Sequence, residues 1–138
     1  MISGELGRQL MIAVENDVGA LADVTGTMSA AGINLIALCA YSLEKRVAIM
    51  FVTSDNNAAK SLLENKGYNL QEEEVVLLTI DNKPGALQSV IDHIAEAEID
   101  LKLIYGSCPS EADISRIVMI SEHNLDVMMV IKMLCERT

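Results

Sequence analysis

The chain has 138 residues, of which 51% are hydrophobic, and its 20 acidic and 10 basic side chains give a formal net charge of −10. Because nucleic-acid binding depends on lysine and arginine neutralising phosphates, this acidic balance excludes DNA and RNA as expected partners. No stretch reaches the roughly 18 uninterrupted apolar residues of a membrane span and the start carries no signal-peptide pattern, so we expect a cytoplasmic protein of one domain or two small ones, with no membrane partner.

The first half of the chain alternates short apolar runs, rich in β-branched residues, with helical patterns. The runs predict strands and the patterns between them predict helices. The second of these helices is expected to end at Gly67. The segments are LMIAVE (10–15), a first helix that carries Leu21, Val24, Met28 and Ala31, then INLIALCAY (33–41), RVAIMFVTS (46–54), NNAAKSLLENK (56–66) and YNLQEE (68–73).

The second half repeats the first. ENDVGALADVTGTMSAAGINL (15–35) aligns with DNKPGALQSVIDHIAEAEIDL (81–101), which places Gly19 on Gly85. Apolar residues recur at steps of three and four in both copies, on one predicted helix face: Leu21, Val24, Met28 and Ala31 match Leu87, Val90, Ile94 and Ala97. The other segments of the second copy are VVLLTI (75–80), IDLKLIY (99–105), SRIVMIS (115–121) and the helix NLDVMMVIKMLCE (124–136).

Two copies of a β-α-β-β-α-β unit follow from this repeat. We therefore predict an α+β protein with two ferredoxin-like modules, residues 8–73 and 74–138. The second copy stops after its second helix, so its fourth strand is expected to be missing and the cautious count is seven strands. Another chain or the other copy would then have to cover the open side of VVLLTI.

Apolar residues on both faces of the strands also indicate a homo-oligomer, a dimer or larger. In the second strand Ile36, Leu38 and Ala40 alternate with Leu35, Ala37 and Cys39. The helix at 124–136 is apolar nearly all round, which is typical of a helix buried on more than one side. The alternative is a large core within one chain, in which methionines fill gaps.

The segment DNKPGALQSV (81–90) joins a predicted strand to a predicted helix. The start of a helix presents backbone N–H groups without intrahelical partners, and it attracts anions. Gly85 has no side chain to keep a ligand away, and Asn82 has donors and an acceptor that suit a zwitterion. The alternative is a corner built from ordinary turn-forming residues.

The two repeated segments, ENDVGALADV and DNKPGALQSV, resemble the ACT domain, a regulatory module that binds small molecules. The Gly-Ile-Asn that follows in the first copy is part of the same resemblance. The resemblance covers essentially the whole chain as a tandem pair and implies antiparallel sheets with helices on one face. It also implies amino-acid sites where two domains meet, between the loop of one and the start of the second strand of its neighbour. The residues selected in this way are Asn16, Asp17, Val18 and Gly19 with Asn34, and Asn82, Lys83, Pro84 and Gly85 with Asp100.

The two copies depart from one another in the loop, at the start of the second strand and just before that strand. Val18 stands where the second copy has Pro84, Asp100 stands where the first has Asn34, and Glu98 replaces a glycine. A carboxylate at Asp100 would favour an ammonium and disfavour a carboxylate. We therefore expect the two sites to differ in affinity, or only one of them to bind.

Catalytic and metal sites find no support in the sequence. Cys39, Cys108 and Cys135 have no metal or redox spacing, and His93 and His123 have no cysteine at ligand spacing. We expect no cofactor and no enzyme activity. We expect a non-catalytic regulatory protein. Its expected ligand is a small molecule of the amino-acid class, and it is expected to modulate a partner enzyme on another chain. The alternative is a ligand-free module for dimerisation or partner docking.

Overall fold

The computed structural model describes residues 1–15, 18–107 and 113–137 of the chain. Within them lie six strands and four helices, and none of these helices is long and apolar enough to cross a bilayer. The elements are β1 (Ile2–Glu15), α1 (Val18–Ala30), β2 (Leu35–Leu43), β3 (Arg46–Thr53), α2 (Asn56–Asn65), β4 (Leu70–Asp81), α3 (Ala86–Glu96), β5 (Leu101–Ser107), β6 (Ile114–Ser121) and α4 (Asn124–Arg137). The predicted α+β class with two ferredoxin-like modules is confirmed.

The chain divides into two compact units. The first unit is Arg8–Glu73, and the second is Glu74–Thr138 together with Met1–Gly7. β1 and β4 are long strands, and each contributes one part to each unit. The strand order is β2-β3-β1-β4 in the first unit and β1-β4-β6-β5 in the second, and β3 and β6 pair antiparallel with both of their neighbours.

The fourth strand that we expected to be missing from the second module is present, because the start of the chain supplies it. Residues 2–7 belong to the second unit, where β1 is the neighbour of β4. The amide of Asp81 donates to the carbonyl of Met1 at 3.2 Å, and a Cβ on Gly7 would lie 2.8 Å from Cδ1 of Leu77. ISGELG has two glycines and little apolar alternation, so its sequence did not predict a strand. No second chain is needed to cover this side of β4.

The count of seven strands is also corrected, to six within the described residues. VVLLTI and the last four residues of YNLQEE belong to one strand, β4. No glycine, proline or asparagine interrupts the chain between Gln71 and Val75, so nothing turns it. The acidic residues in the middle stay extended, where Arg8 Nε donates to Glu72 Oε2 at 2.7 Å and Gln9 Nε2 to Glu73 Oε1 at 3.2 Å.

Each unit has its own hydrophobic core between its helices and one face of its strands. The predicted helix-face residues Val24, Met28, Val90 and Ile94 are buried, whereas Leu21 is 37% exposed, because α1 turns Ala20 inward instead. The buried core residues of the first unit are Leu10, Ile12, Ala20, Val24, Met28, Ile49, Phe51, Ala59, Leu63 and Leu70. Those of the second unit are Val76, Leu78, Ile80, Val90, Ile94, Ile117, Met119, Val127, Ile131 and Leu134.

Within one chain α4 is buried on one face, so its expected burial on more than one side stays a prediction. Its buried residues lie on one face, whereas Leu125 is 67% and Met129 is 69% exposed. The two-sided apolar pattern of the strands is satisfied within one chain only in part, since Ile49 to Val52 of β3 are buried whereas Ile36 and Leu38 of β2 are 37% and 41% exposed. The homo-oligomer expected from the strand pattern and from α4 therefore stays a prediction.

The helix ends show one strained position. Gly67 closes α2 as predicted, with φ 95° and its amide donating to Glu64 at 2.9 Å. After α1 the chain uses Gly32 at φ 71°, but after α3 it uses Glu98 at φ 57°. In this left-handed region the Cβ of an L-residue clashes with the backbone, which raises the energy of the folded state; glycine has no Cβ and does not clash.

Replacing Glu98 with glycine is expected to stabilise the second unit. Relief of the left-handed strain outweighs the extra freedom that glycine gives the unfolded chain, so Glu98→Gly should raise the free energy of unfolding by about 0.5–1 kcal/mol. Gly32→Ala is the matched control and should lower it by a similar amount. Urea denaturation of both variants measures the difference, and a destabilised Glu98→Gly variant would contradict the strain.

Candidate functional site

The corner between β4 and α3 is shaped by a glycine in the left-handed conformation. Gly85 has φ 89° and ψ −13° and directly precedes α3. A Cβ built at this position would meet no atom within 4 Å, so the backbone here faces open space. No side chain caps the start of α3. Glycine is required because the turn needs a positive φ, and it leaves the helix start uncovered.

Part of the corner's backbone is already hydrogen-bonded. The amide of Asn82 donates to Asp113 at 2.9 Å, that of Lys83 to Asp81 at 3.0 Å, and that of Ala86 to Lys83 at 3.2 Å. These bonds fix the loop to the start of β6 and close its turn.

Three further amides remain available at the start of α3. The N–H groups of Gly85, Leu87 and Gln88 have no acceptor among the residues that the structure describes. The next donor, Ser89, bonds to the carbonyl of Gly85 at 3.1 Å and begins the regular helix. Unpaired donors at a helix start, together with the positive end of the helix dipole, form an anion-binding arrangement.

A cavity of about 310 Å³ lies at this corner, within the second unit. Its size is at the lower end of the range for small-molecule pockets. The residues that line it come from the start of β1, the loop and the first turn of α3: Met1, Ile2, Asp81, Lys83, Pro84, Gly85, Ala86 and Ser89. Three of the predicted loop residues therefore share one cavity with the start of α3.

The cavity carries charges of both signs. The amino group of Met1 lies 2.5 Å from Oδ2 of Asp81, and Nζ of Lys83 lies 3.9 Å from the same oxygen. The hydrogen bond from that amino group lowers the pKa of Asp81, against a smaller opposing effect of desolvation. Asp81 is therefore a carboxylate at neutral pH and can hold an ammonium group. The groups are exposed, so the ion pairs themselves add little stability.

Asn82 anchors the loop and does not line the cavity. Its Oδ1 accepts a hydrogen bond from Oγ of Ser115 at 3.2 Å, and its amide is bonded to Asp113. The structure therefore places Asn82 behind Lys83, Pro84 and Gly85, where it fixes their position.

The equivalent loop of the first unit is described only in part. Asn16 and Asp17 lie outside the described residues, and only the backbone of Val18 is described, at the start of α1. Gly19 is exposed in the first turn of that helix. Cys108 also lies outside the described residues. The cavity can therefore be characterised for the second unit alone.

The structure does not bring Asn34 or Asp100 to the loop of its own unit. β5 runs in the same direction as β4, because both pair antiparallel with β6. Asp100, just before β5, is thus at the opposite end of the second unit from Gly85. The same pairing separates Asn34 from Gly19 in the first unit, where Asn34 is bonded to Ser54.

The sequence missed several residues of the cavity. Asp81 could have been identified from the sequence, because it is the first residue of the segment DNKPGAL, which is part of the repeat. Met1 and Ile2 could not have been identified, because no strand was predicted at the start of the chain. Within the described residues no group of three His, Cys, Asp or Glu side chains could hold a metal ion, and neither Cys39 nor Cys135 forms a disulfide.

Comparison with known families and proteins supports the fold. A family model described as an ACT domain pair matches residues 6–132. Comparison with curated protein sequences gives no match.

Among solved structures, protein BT0572 from Bacteroides thetaiotaomicron is 24% identical over 94% of this chain and 88% of its own, with a TM-score of 0.85. The ligand-free regulatory subunit of aspartate kinase from Thermus thermophilus is 12% identical over 96% and 95%, with a TM-score of 0.67. E. coli aspartokinase III, in complex with lysine and aspartate, is 16% identical over 99% of this chain and 32% of its own, with a TM-score of 0.58. At these identities the likeness is one of fold.

Proposed function

We propose a function from one premise: the chain belongs to the family of ACT domain pairs. The proposed function is that of a non-catalytic, cytoplasmic regulatory protein, which binds an amino acid and modulates a partner enzyme carried on another chain. The alternative, a ligand-free docking module, is favoured by a separate feature, the exposed apolar side chains of α4.

The observation that carries the proposal is the set of three unpaired amides in the first turn of α3, whose residues Gly85, Ala86 and Ser89 line the 310 Å³ cavity. Gly85, Leu87 and Gln88 would donate to the carboxylate of an amino acid, and Lys83 would add a positive charge on the same side. Asp81 would accept from the ligand's ammonium group. A carboxylate has several lone pairs and the pair with Met1 is exposed, so Asp81 can accept a second donor.

The comparisons support this proposal by analogy of fold. The neighbour E. coli aspartokinase III was solved with lysine and aspartate, and the Thermus thermophilus neighbour is a regulatory subunit. A regulatory role fits a ligand that stabilises one arrangement of the modules more than another, since only such differential binding shifts an equilibrium.

We extend the proposal to two modules, residues 8–73 and 74–138, that contribute to shared sites. A loop and the start of a second strand lie at opposite ends of one unit, so a site containing both needs two modules, in one chain or in a homo-oligomer. The proposed contacts at these sites come from the residues that the family resemblance selects: Asn16, Asp17, Val18 and Gly19 with Asn34, and Asn82, Lys83, Pro84 and Gly85 with Asp100.

A thermal-shift screen of the common amino acids, beginning with lysine and aspartate, tests the function. A ligand that binds only the folded state stabilises it by about 2.7 kcal/mol at 100 times its dissociation constant, so a specific amino acid should raise the melting temperature by several degrees. If none of them raises it, the chain is not an amino-acid sensor and the docking module is favoured.

Two glycine substitutions separate the role of the cavity from backbone strain. Gly85→Val puts a branched side chain into the open space at the start of α3, so it should abolish the stabilisation by the amino acid. Gly67→Val is the matched control, because Gly67 also has a positive φ, 95°, and open space around it, but lies after α2 in the first unit. Both variants should lose about 1–2 kcal/mol of stability from strain. Equal ligand binding by both would contradict the site.

A further inference from the structure

The core-facing side of β6 begins with a buried polar residue, Ser115. Ser115 is 2% exposed, and strand alternation places it on the same face as the buried core residues Ile117 and Met119. Burial of a hydroxyl group costs free energy unless the group is hydrogen-bonded. A polar side chain at a core position therefore calls for a reason other than packing.

The hydroxyl of Ser115 is bonded to the loop of the proposed site. Its Oγ donates to Oδ1 of Asn82 at 3.2 Å, and the amide of Asn82 donates to the carbonyl of Asp113 at 2.9 Å. Asn82 is thus held to β6 and the residue before it, through its side chain and through its backbone. The next three residues of the chain, 83–85, line the cavity, so the position of Asn82 determines where they lie.

The equivalent strand of the first unit has a valine at this position. Ser115 lies opposite Ile80 of β4, and Val47 lies opposite Val14 of β1. Val14 and Ile80 are themselves equivalent in the repeat of the sequence. Val47 packs against the first core. An apolar side chain therefore satisfies the packing here, and the fold does not require a hydroxyl.

We infer that Ser115 is a positioning residue of the proposed amino-acid site. The inference rests on the proposed function and adds to it a residue that does not line the cavity. Ser115 holds Asn82, and Asn82 holds the loop so that Gly85 lies at the cavity. A loop that is already in place binds more tightly, because the free energy of ordering it is not subtracted from the affinity.

Two substitutions of nearly equal shape test the role of the hydroxyl. Ser115→Thr keeps it, whereas Ser115→Val has a methyl group in its place, so any overpacking of the core is common to both. The probe is the amino acid that raises the melting temperature most in the thermal screen. Calorimetric titration should give a dissociation constant about three to ten times higher for Ser115→Val than for Ser115→Thr, because the hydrogen bond to Asn82 is lost.

A double-mutant cycle shows whether Ser115 acts through Asn82. When Asn82→Ala is also present, the dissociation constants of the Ser115→Thr and Ser115→Val proteins should agree within about twofold. A contribution to stability alone would not change the affinity of either folded protein. Equal binding by Ser115→Thr and Ser115→Val, or a difference that persists without Asn82, would overturn the inference and leave the proposed function intact.

Amide hydrogen exchange of the ligand-free protein tests the contact separately. The amide of Asn82 should exchange faster in Ser115→Val than in Ser115→Thr, while that of Gly67 in the first unit should exchange alike in both. A chain that binds none of the amino acids contradicts the proposed function, and the role of Ser115 in binding then fails with it. If circular dichroism shows that Ser115→Val does not fold, Ser115→Ala is compared with the unaltered chain, since it removes the hydroxyl and adds no volume.

Discussion

Deletion of residues 1–7 is expected to unfold the second unit. These residues form the strand beside β4, and Ile2 packs against the core of that unit. Without them, one side of β4 loses its neighbour, and the side chain of Ile131 loses its contact with Gly4. The loss should be on the order of 5 kcal/mol, which is comparable with the whole stability of a small domain. Amide hydrogen exchange should show protection lost across β4–β6 but kept across β2 and β3.

A circular permutant provides the control. When the chain begins at Arg8 and residues 1–7 follow α4 through a short linker, the second unit regains its fourth strand in the usual ferredoxin-like order. This variant should recover most of the lost stability. A deletion variant that keeps full protection in β4 would show that the start of the chain is dispensable.

Truncation of Phe51 is expected to have the second large effect. Phe51 is fully buried in the centre of the first core, and removal of such a side chain costs about 3–5 kcal/mol. The loss should be confined to the first unit, if the two units unfold separately as their separate cores suggest. Hydrogen exchange should therefore increase in β2 and β3 much more than in β5 and β6.

Met119→Ala is the matched change in the second unit. Met119 is fully buried in β6, next to Val76 and Ile104, as Phe51 in β3 lies next to Leu10 and Leu38. It should cost about 2–5 kcal/mol and give the opposite pattern of exchange. If each variant loosened both units equally, the chain would unfold as one cooperative body.

Most of the fold could be predicted from the sequence because the pattern is repeated. The alignment of Gly19 with Gly85 gave two copies of one element order, and each copy supported the other. The first strand of the chain could not be predicted, because Gly4 and Gly7 interrupt the apolar pattern of ISGELG. These glycines are explained only by the structure, where Ile131 and Leu77 lie against them.

The site was predictable in part for the same reason. A glycine after a strand and before a helix indicates a turn that exposes helix amides, and the structure has such a turn at Gly85. The role of Asn82 was not predictable, since its partner Ser115 is distant in sequence. The apolar composition of α4 does not distinguish a second core face from a surface for another molecule, so the sequence left both alternatives open.

The proposed amino-acid site is tested most directly by nuclear magnetic resonance of the ¹⁵N-labelled protein. The titrant is the amino acid that stabilises the protein most in the thermal screen. The account predicts that the amide signals of Gly85, Leu87 and Gln88 shift together and saturate, while that of Gly67 stays in place. Saturable binding that moves other signals and leaves these three unchanged would contradict it.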